Sequence, residues 1–213
     1  MYVVMIASEC APAAKVGGLA DVVFGLSREL ELRGHAVEII LPKYDCMRQD
    51  QVWGLHGIDH DLWVPWDGGA IRCTVWFGFV HGRKCFFIEP HCAQAFFTRG
   101  TYYGFWDDPE RFAFFSKAAL EFLSKSNKRP DVIHTHDWQT ALVPVLLYEL
   151  FARAGLADQR VCHTIHNFRH QGTTGPGILR ATGLNRPEYF GAPDRMGDEF
   201  DRHSINLMRG AIL

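Results

Sequence analysis

Residues 2–34 constrain the fold more tightly than any other stretch. Tyr2-Val3-Val4-Met5-Ile6-Ala7 is a near-continuous apolar run that stops at Ser8. Its valines and isoleucine suit a buried strand. Continuous rather than alternating apolarity suits a parallel sheet covered on both faces. Glu9 to Gly18 then reads as a turn, with one lysine, Lys15, and the pair Gly17-Gly18. Beyond it Leu19, Val22, Val23, Leu26 and Leu30 recur at helical spacing. A basic Arg33 and a stop at Gly34 close the segment. The order is strand, small-residue loop, helix.

This order has a chemical consequence. A helix N-terminus carries unpaired N–H groups and partial positive charge, which suits an anion. Gly17 and Gly18 allow close approach, and Lys15 adds a full charge at the same mouth. A phosphate site and a plain glycine-rich turn with a solvated lysine both fit. The pattern is neither Gly-x-Gly-x-x-Gly nor the P-loop sequence. Asp21 lies in the first helical turn, where the helix dipole favours it whatever the function.

The same grammar recurs downstream. Ala36 to Leu41, ended by Pro42, is a second strand, predicted to run parallel to the first through a right-handed crossover. Lys43 to Gly57 has no period and reads as a loop. Leu62-Trp63-Val64, Ile71 to Val80 and Lys84 to Ile88 predict a β-hairpin or meander inserted in the α/β pattern, turning at His81-Gly82-Arg83. Phe96 to Trp106 is aromatic and glycine-rich: a surface-packed loop, or one whose rings face a sugar. Asp108-Pro109 starts a helix that buries Phe112, Phe115, Ala119, Phe122 and Leu123.

Asp131 to Trp138 is a strand ending in polar residues. A helix over Gln139 to Ala154 follows, kinked or begun late by Pro144. Arg160 to Ile165 is the next strand, ending at His166-Asn167. Ligands of open α/β sheets bind beyond the carboxyl ends of the strands. Glu9 to Gly18, His134 to Trp138 and His166 to Gln171 therefore aim at one crevice. Asp137 either caps the following helix or faces that crevice. His134 reads as a packed core histidine and His136 as intermediate, while His166 and Asn167 stand where a strand ends. Gly172 to Gly183 reads as a mobile loop with a short helix at Ile178 to Ala181. Ser204 to Leu213 reads as helical and stops inside an apolar pattern, as if cut before a last strand.

Composition narrows the function classes. A chain of 213 residues fits one large domain or two small ones. A formal charge of −2 gives no electrostatic case for a nucleic acid or an anionic membrane as partner. No apolar run has membrane-spanning length. The six cysteines form no Cys-x-x-Cys pair, and the chain enters a strand without a leader pattern, which fits a reduced, cytoplasmic compartment. No metal-ligand spacing and no Gly-x-Ser-x-Gly elbow stand out.

Three motifs together resemble the N-terminal half of bacterial glycogen synthases and plant starch synthases, retaining glucosyltransferases of the two-domain GT-B fold. They are Lys15-Val16-Gly17-Gly18-Leu19-Ala20-Asp21-Val22, His136-Asp137-Trp138-Gln139 and Thr164-Ile165-His166-Asn167. The stretches Asp108 to Phe115 and Asn167 to Gly172 are most similar to cyanobacterial and related plant forms. The resemblance implies a Rossmann-like, doubly wound, mainly parallel sheet forming one N-terminal domain over residues 1–213, with a nucleotide-binding C-terminal domain of the same protein as its partner. It implies ADP-glucose as donor, an α-1,4-glucan as acceptor, transfer with retention, and no cofactor or bound metal. In a plant form the compartment would be the plastid.

Residue by residue, the resemblance sets Lys15, Gly17 and Gly18 against the donor diphosphate. It sets His166 beside the transferred glucose, with Asp137 and Asp21 lining the same cleft. Glu9, Asn167 and Gln171 complete the implied substrate contacts. Phe97-Thr98-Arg99-Gly100-Thr101 departs from the tyrosine-bearing sequence of many bacterial members, so a tyrosine contact would be missing or would fall to Tyr102 or Tyr103. Without a C-terminal domain the chain is expected to have little transferase activity. The alternatives are a non-catalytic glucan-binding or regulatory module, favoured if Trp53, Trp63 or Trp66 form an exposed platform, and a GT-B transferase using UDP-glucose. A dinucleotide-binding enzyme fits less well, because Pro42-Lys43 stands where an acidic residue would end strand two.

Overall fold

The computed structural model describes residues 1–212. The order of strands in the main sheet is β3-β4-β5-β2-β1-β6-β7. These are β1 (Tyr2–Ile6), β2 (Ala36–Pro42), β3 (Val52–Trp66), β4 (Gly69–Val80), β5 (Arg83–Pro90), β6 (Val132–His136) and β7 (Arg160–Thr164). From β5 through β2, β1 and β6 to β7 all pairings are parallel. β3, β4 and β5 form an antiparallel meander at one edge. In β1, successive residues Val4, Met5 and Ile6 are all fully buried. Side chains alternate between faces, so both faces of the central strand are covered, as the apolar run predicts.

Register places the chemistry. Ile6 pairs with Ile40 on one side and Thr135 on the other, and His136 pairs with Thr164. Parallel pairing in this register brings the carboxyl ends of β1, β6 and β7 to one edge of the sheet. Helix α1 (Gly18–Leu32) leaves β1 there and packs on β2 and β5. Helix α2 (Asp108–Lys125) packs on β3 and β5.

Several expectations need correction. Lys43 to Gly57 is not all loop, because a 3-10 turn at Gln49–Gln51 leads into β3 at Val52. The strand has no steady period because its pairing with β4 slips between Trp53 and His56 and twice more before Leu62. Such bulges break the alternation that signals a strand. Gln139 to Ala154 is not one α-helix but a 3-10 turn, a short α-helix α3 (Leu142–Leu146), a π turn and a second 3-10 turn. Pro144 lies in the first turn of α3, where no intrahelical donor is lost.

Thr173–Thr174 forms a short strand β8, followed by helices α4 (Gly177–Ala181) and α5 (Pro187–Phe190). β8 pairs with β9 (Ile205–Asn206), which interrupts the helix expected from Ser204. Asn206 then caps α6 (Leu207–Gly210) by accepting from the Arg209 amide. Leu213, the last residue of that expectation, lies outside the described residues.

α2 begins with a buried charge. Arg111 is fully buried. Its Nε donates to Asp108 at 2.8 Å, its Nη1 to the Phe96 carbonyl at 2.6 Å and its Nη2 to the Tyr102 carbonyl. The guanidinium also lies within 5.4 Å of the Phe97, Phe105 and Phe112 ring centres. Arg99 grips Asp107 through two bonds of 2.6 and 2.7 Å. These contacts pin the 96–106 loop to the first turn of α2. Replacing one partner of a buried charge pair leaves the other uncompensated. Arg111→Met is therefore expected to lower the unfolding free energy by about 3 kcal/mol in urea titration, whereas Arg28→Met on the exposed face of α1 leaves it unchanged.

Candidate active-site cleft

A cleft of about 810 Å³ opens at the carboxyl edge of β1, β6 and β7. Its walls include Glu9, Gly17, Gly18, Tyr103, Asp137, His166 and Asn167. Seven of the sequence-derived site residues are thus brought together from four separate segments. Val16, Leu19, Val22, Gly104, Asp108, Trp138, Gln139 and His170 complete the lining. Val16 and Val22 are exposed apolar residues, and that oddity for a βα turn is the signal that could have marked them. The sequence marks Gly104 only as part of the aromatic loop and Asp108 only as a helix start; folding of that loop brings both to the cleft.

The βα loop is organised by a carboxylate of its own. Glu9 is buried, and its Oε2 accepts the Val16 and Gly17 amides at 2.6 and 3.0 Å. Its Oε1 accepts the Tyr103 hydroxyl at 2.8 Å, and that hydroxyl also lies 2.9 Å from Ser8 Oγ. Glu9 therefore holds the loop and takes up two of the amides that an anion could use. α1 begins at Gly18, after an extended Gly17 with no side-chain cap, so its first-turn amides lack helical acceptors. A Cβ at Gly17 or Gly18 would meet no atom within 4 Å. The missing side chains relieve no internal clash; they leave open the space in front of the helix N-terminus.

Lys15 and Asp21, expected at the cleft, are not among its lining residues; they are the chain neighbours of Val16 and Val22, which are. Lys15 Nζ lies 2.7 and 2.8 Å from the two Asp21 oxygens, with both side chains solvent-exposed. Such a pair is worth little in stability and opens readily to an incoming anion. Two other predicted residues turn elsewhere. Tyr102 donates to the Cys46 carbonyl at 3.3 Å and packs on Tyr44. Gln171 bonds Phe168 and Asn206. The aromatic stretch accordingly divides. Phe96 and Phe97 are core, Tyr103 and Gly104 reach the cleft, and Trp106 is 91% exposed.

Asp137 does not cap the helix after it. Its backbone sits at φ 54°, ψ −174°, a region where a side chain is strained by about 1–3 kcal/mol. The strain is held by bonds across the strand ends. The Asp137 amide donates to the Thr164 carbonyl at 2.9 Å. Its Oδ1 accepts the His166 amide at 2.7 Å and the Asn167 amide at 3.3 Å. Asp137 thus ties the end of β6 to the turn after β7 and sets where His166 stands.

Behind that turn lies a column of imidazoles. His134 and His136 are buried, with ring centres 4.2 Å apart. The His136 and His166 ring planes lie within 17° of each other, with ring centres 5.4 Å apart, and the two rings meet edge to edge through nitrogens 3.1 Å apart. His134 Nε2 lies 2.7 Å from Thr164 Oγ1, as expected of a packed, hydrogen-bonded histidine. Burial pushes His136 down to about 2 and His134 to about 4, with neighbouring imidazoles adding to each shift. Burial also lowers His163. Among the described residues, no three His, Cys, Asp or Glu side chains are placed to hold a metal ion.

The sequence and structure match known proteins over nearly the whole chain. A family profile described as the starch synthase catalytic domain matches residues 2–213. Glycogen synthase 1 of a Synechococcus strain is 66% identical over 213 residues, covering 100% of this chain and 43% of that protein. Glycogen synthase 2 of Methylococcus capsulatus is 67% identical over 205 residues, covering 96% of this chain and 42% of that protein. Among solved structures, the catalytic domain of starch synthase IV from Arabidopsis thaliana, bound to ADP and acarbose, superposes with a TM-score of 0.96 at 49% identity. It covers 99% of this chain and 43% of that one. The chain therefore spans less than half the length of these relatives.

The histidine column makes stability depend on pH. An unfolded histidine binds a proton near pH 6.5, whereas folded His136 and His134 do so only far lower. Below 6.5 the unfolded state binds more protons, so stability falls with pH until the folded values are reached. Lowering the pH from 7 to 5 is expected to reduce the unfolding free energy, with His136 contributing about 1 kcal/mol per unit below 6.5. Urea titrations of wild type and His136→Asn at both pH values check this, the variant showing the smaller fall.

Proposed function

The chain belongs to the starch synthase catalytic domain family, and from that premise we propose that it is the acceptor-side half of a two-domain transferase. That enzyme moves glucose from ADP-glucose to the non-reducing end of an α-1,4-glucan, with retention at the anomeric carbon. The observation that carries the reading is the open N-terminus of α1, with Gly17 and Gly18 facing a cleft shared with Asp137 and His166. The solved relative bound to ADP and acarbose supports it. The partner half of the same protein supplies the rest of the nucleotide site, in keeping with the 43% share of the relatives that this chain covers. Six free cysteines fit a reducing, cytoplasm-like compartment.

In this reading the donor diphosphate lies before the Gly18 end of α1. As the glycosidic bond lengthens, negative charge grows on the leaving phosphate. The helix amides stabilise that charge, and Lys15, released from Asp21, adds a full positive charge. Donors fixed before the reaction need no reorganisation when charge develops, which is where the rate gain arises. His166 and Asn167, anchored through Asp137, bind the sugar being transferred, and Tyr103 and Trp138 shape the wall beside it. Positioning the acceptor hydroxyl and the donor carbon in one dry cleft makes the step effectively unimolecular.

An alternative, glucan-binding reading takes its support from tryptophans outside the cleft. Trp66 is buried against Phe114, whereas Trp53 is 76% and Trp63 50% exposed. Trp53 packs beside Phe79, ring centres 5.6 Å apart. None of these tryptophans lines the cleft.

Initial rates with ADP-glucose and glycogen test the main reading. The full-length protein is expected to elongate glycogen and residues 1–213 alone to show no more than about 1% of that rate. In the full-length protein, Lys15→Ala and His166→Ala are each expected to lower kcat/KM about a hundredfold. Gly18→Ala separates binding from folding. It is expected to leave the melting temperature unchanged or slightly higher, while raising the KM for ADP-glucose about tenfold. Equal turnover with UDP-glucose would shift the donor assignment, and no turnover by the full-length protein would overturn the transferase reading.

A further inference from the structure

His136 is placed to control His166 without reaching the cleft itself. It is completely buried and does not line the cavity. Its backbone is clamped by Thr140, whose hydroxyl accepts the His136 amide at 2.7 Å and donates to the His136 carbonyl at 2.8 Å. Its ring lies parallel to His166, and its Nδ1 stands 3.1 Å from His166 Nε2. One proton must lie between these two nitrogens for them to bond. The other nitrogen of His136, Nε2, is buried with no partner among the described residues.

That orphan decides which ring owns the proton. If His136 carried its proton on Nε2, a buried N–H would be left without an acceptor. If the proton is on Nδ1, only a lone pair at Nε2 goes unmatched. Orphaned buried N–H groups are rarer in folded proteins than under-satisfied acceptors. A doubly protonated ring is excluded by the same burial, which opposes the charged form.

We propose that His136 is a positioning residue that fixes the tautomer of His166: His136 Nδ1–H donates to His166 Nε2, so His166 keeps its own proton on Nδ1. His166 then meets the substrate as a hydrogen-bond donor through Nδ1, and not as an acceptor or base. The ligand chemistry that matches is an oxygen acceptor, such as a hydroxyl of the transferred sugar. The inference deepens the transferase reading but does not depend on turnover for its test. It also gives the His136-Asp137 pair a divided task. Asp137 holds the His166 backbone, and His136 sets its ring.

The test is the tautomeric state of His166 in the full-length protein labelled with 15N-histidine, with His166→Gln used to assign its signals. The expected spectrum has His166 protonated at Nδ1. Free imidazole side chains favour Nε2–H, so His136→Val, which removes the donor, is expected to switch His166 to that form. In the same variant kcat should fall about tenfold, with both KM values within about twofold, because orientation and not binding is lost. His136→Asn keeps an amide donor near the Nδ1 position and is expected to retain the Nδ1 tautomer and most of kcat. A wild-type His166 protonated at Nε2 would overturn the proposal, as would an unchanged tautomer in His136→Val. If the valine variant fails to fold, the wild-type and asparagine spectra still decide. If the protein shows no transferase activity but the Nδ1 tautomer is found, the functional reading fails and this inference stands.

Discussion

Much of the cleft depends on one buried guanidinium. Taking Arg111 out of water is costly, and the cost is offset only because Asp108 and two carbonyls receive its N–H groups while three aromatic rings cover its faces. Those two carbonyls belong to Phe96, at the start of the aromatic loop, and Tyr102, past its middle. Asp108 in turn accepts the Gly104 amide at 2.9 Å. The loop is thereby held against α2 at three points, and Tyr103 can reach Glu9. Glu9 then shapes the Val16-Gly17 turn from which α1 starts. A structural charge in the core thus fixes, through two hydrogen-bonded steps, the geometry of a loop proposed to meet an anion.

That geometry divides the helix N-terminus between two tasks. Val16 and Gly17 donate inward to a resident carboxylate, while the amides of the first turn remain open toward the cleft. A carboxylate this close works against an incoming anion electrostatically. Its bonds to two amides and a hydroxyl spread its charge, and Lys15 stands nearby to compensate. Holding the loop rigid before a ligand arrives reduces the ordering that binding would otherwise require.

The sequence revealed the parallel core because continuous burial leaves a direct mark in β1 and β2. It also revealed where the strands end, and hence Glu9, Asp137 and His166, because polar residues abruptly follow apolar ones there. β3 was hidden, since an edge strand with three register shifts has no consistent period. The helical region after Asp137 reads as a single helix because its 3-10 and π pieces are each about one turn long, too short to displace the apolar pattern of an α-helix. Arg111 was invisible for a different reason. Nothing local distinguishes an arginine that will be buried from one that will be solvated, and its partners lie up to fifteen residues away. Tyr102 and Tyr103 could not be separated by sequence either, since neighbouring side chains diverge only once the loop has its path.

The central position of β1 bears on how the molecule is made. Its pairing with β2 joins residues a few turns of helix apart, so that half of its environment can form early. Its other neighbour, β6, pairs Val3 with Val132. During synthesis one edge of the most apolar strand in the sheet must therefore wait, unpaired, while some hundred intervening residues are translated. An exposed strand edge of this kind invites pairing with other chains. Between the emergence of α1 and that of β6 the nascent chain therefore carries an open apolar strand edge that the finished sheet conceals.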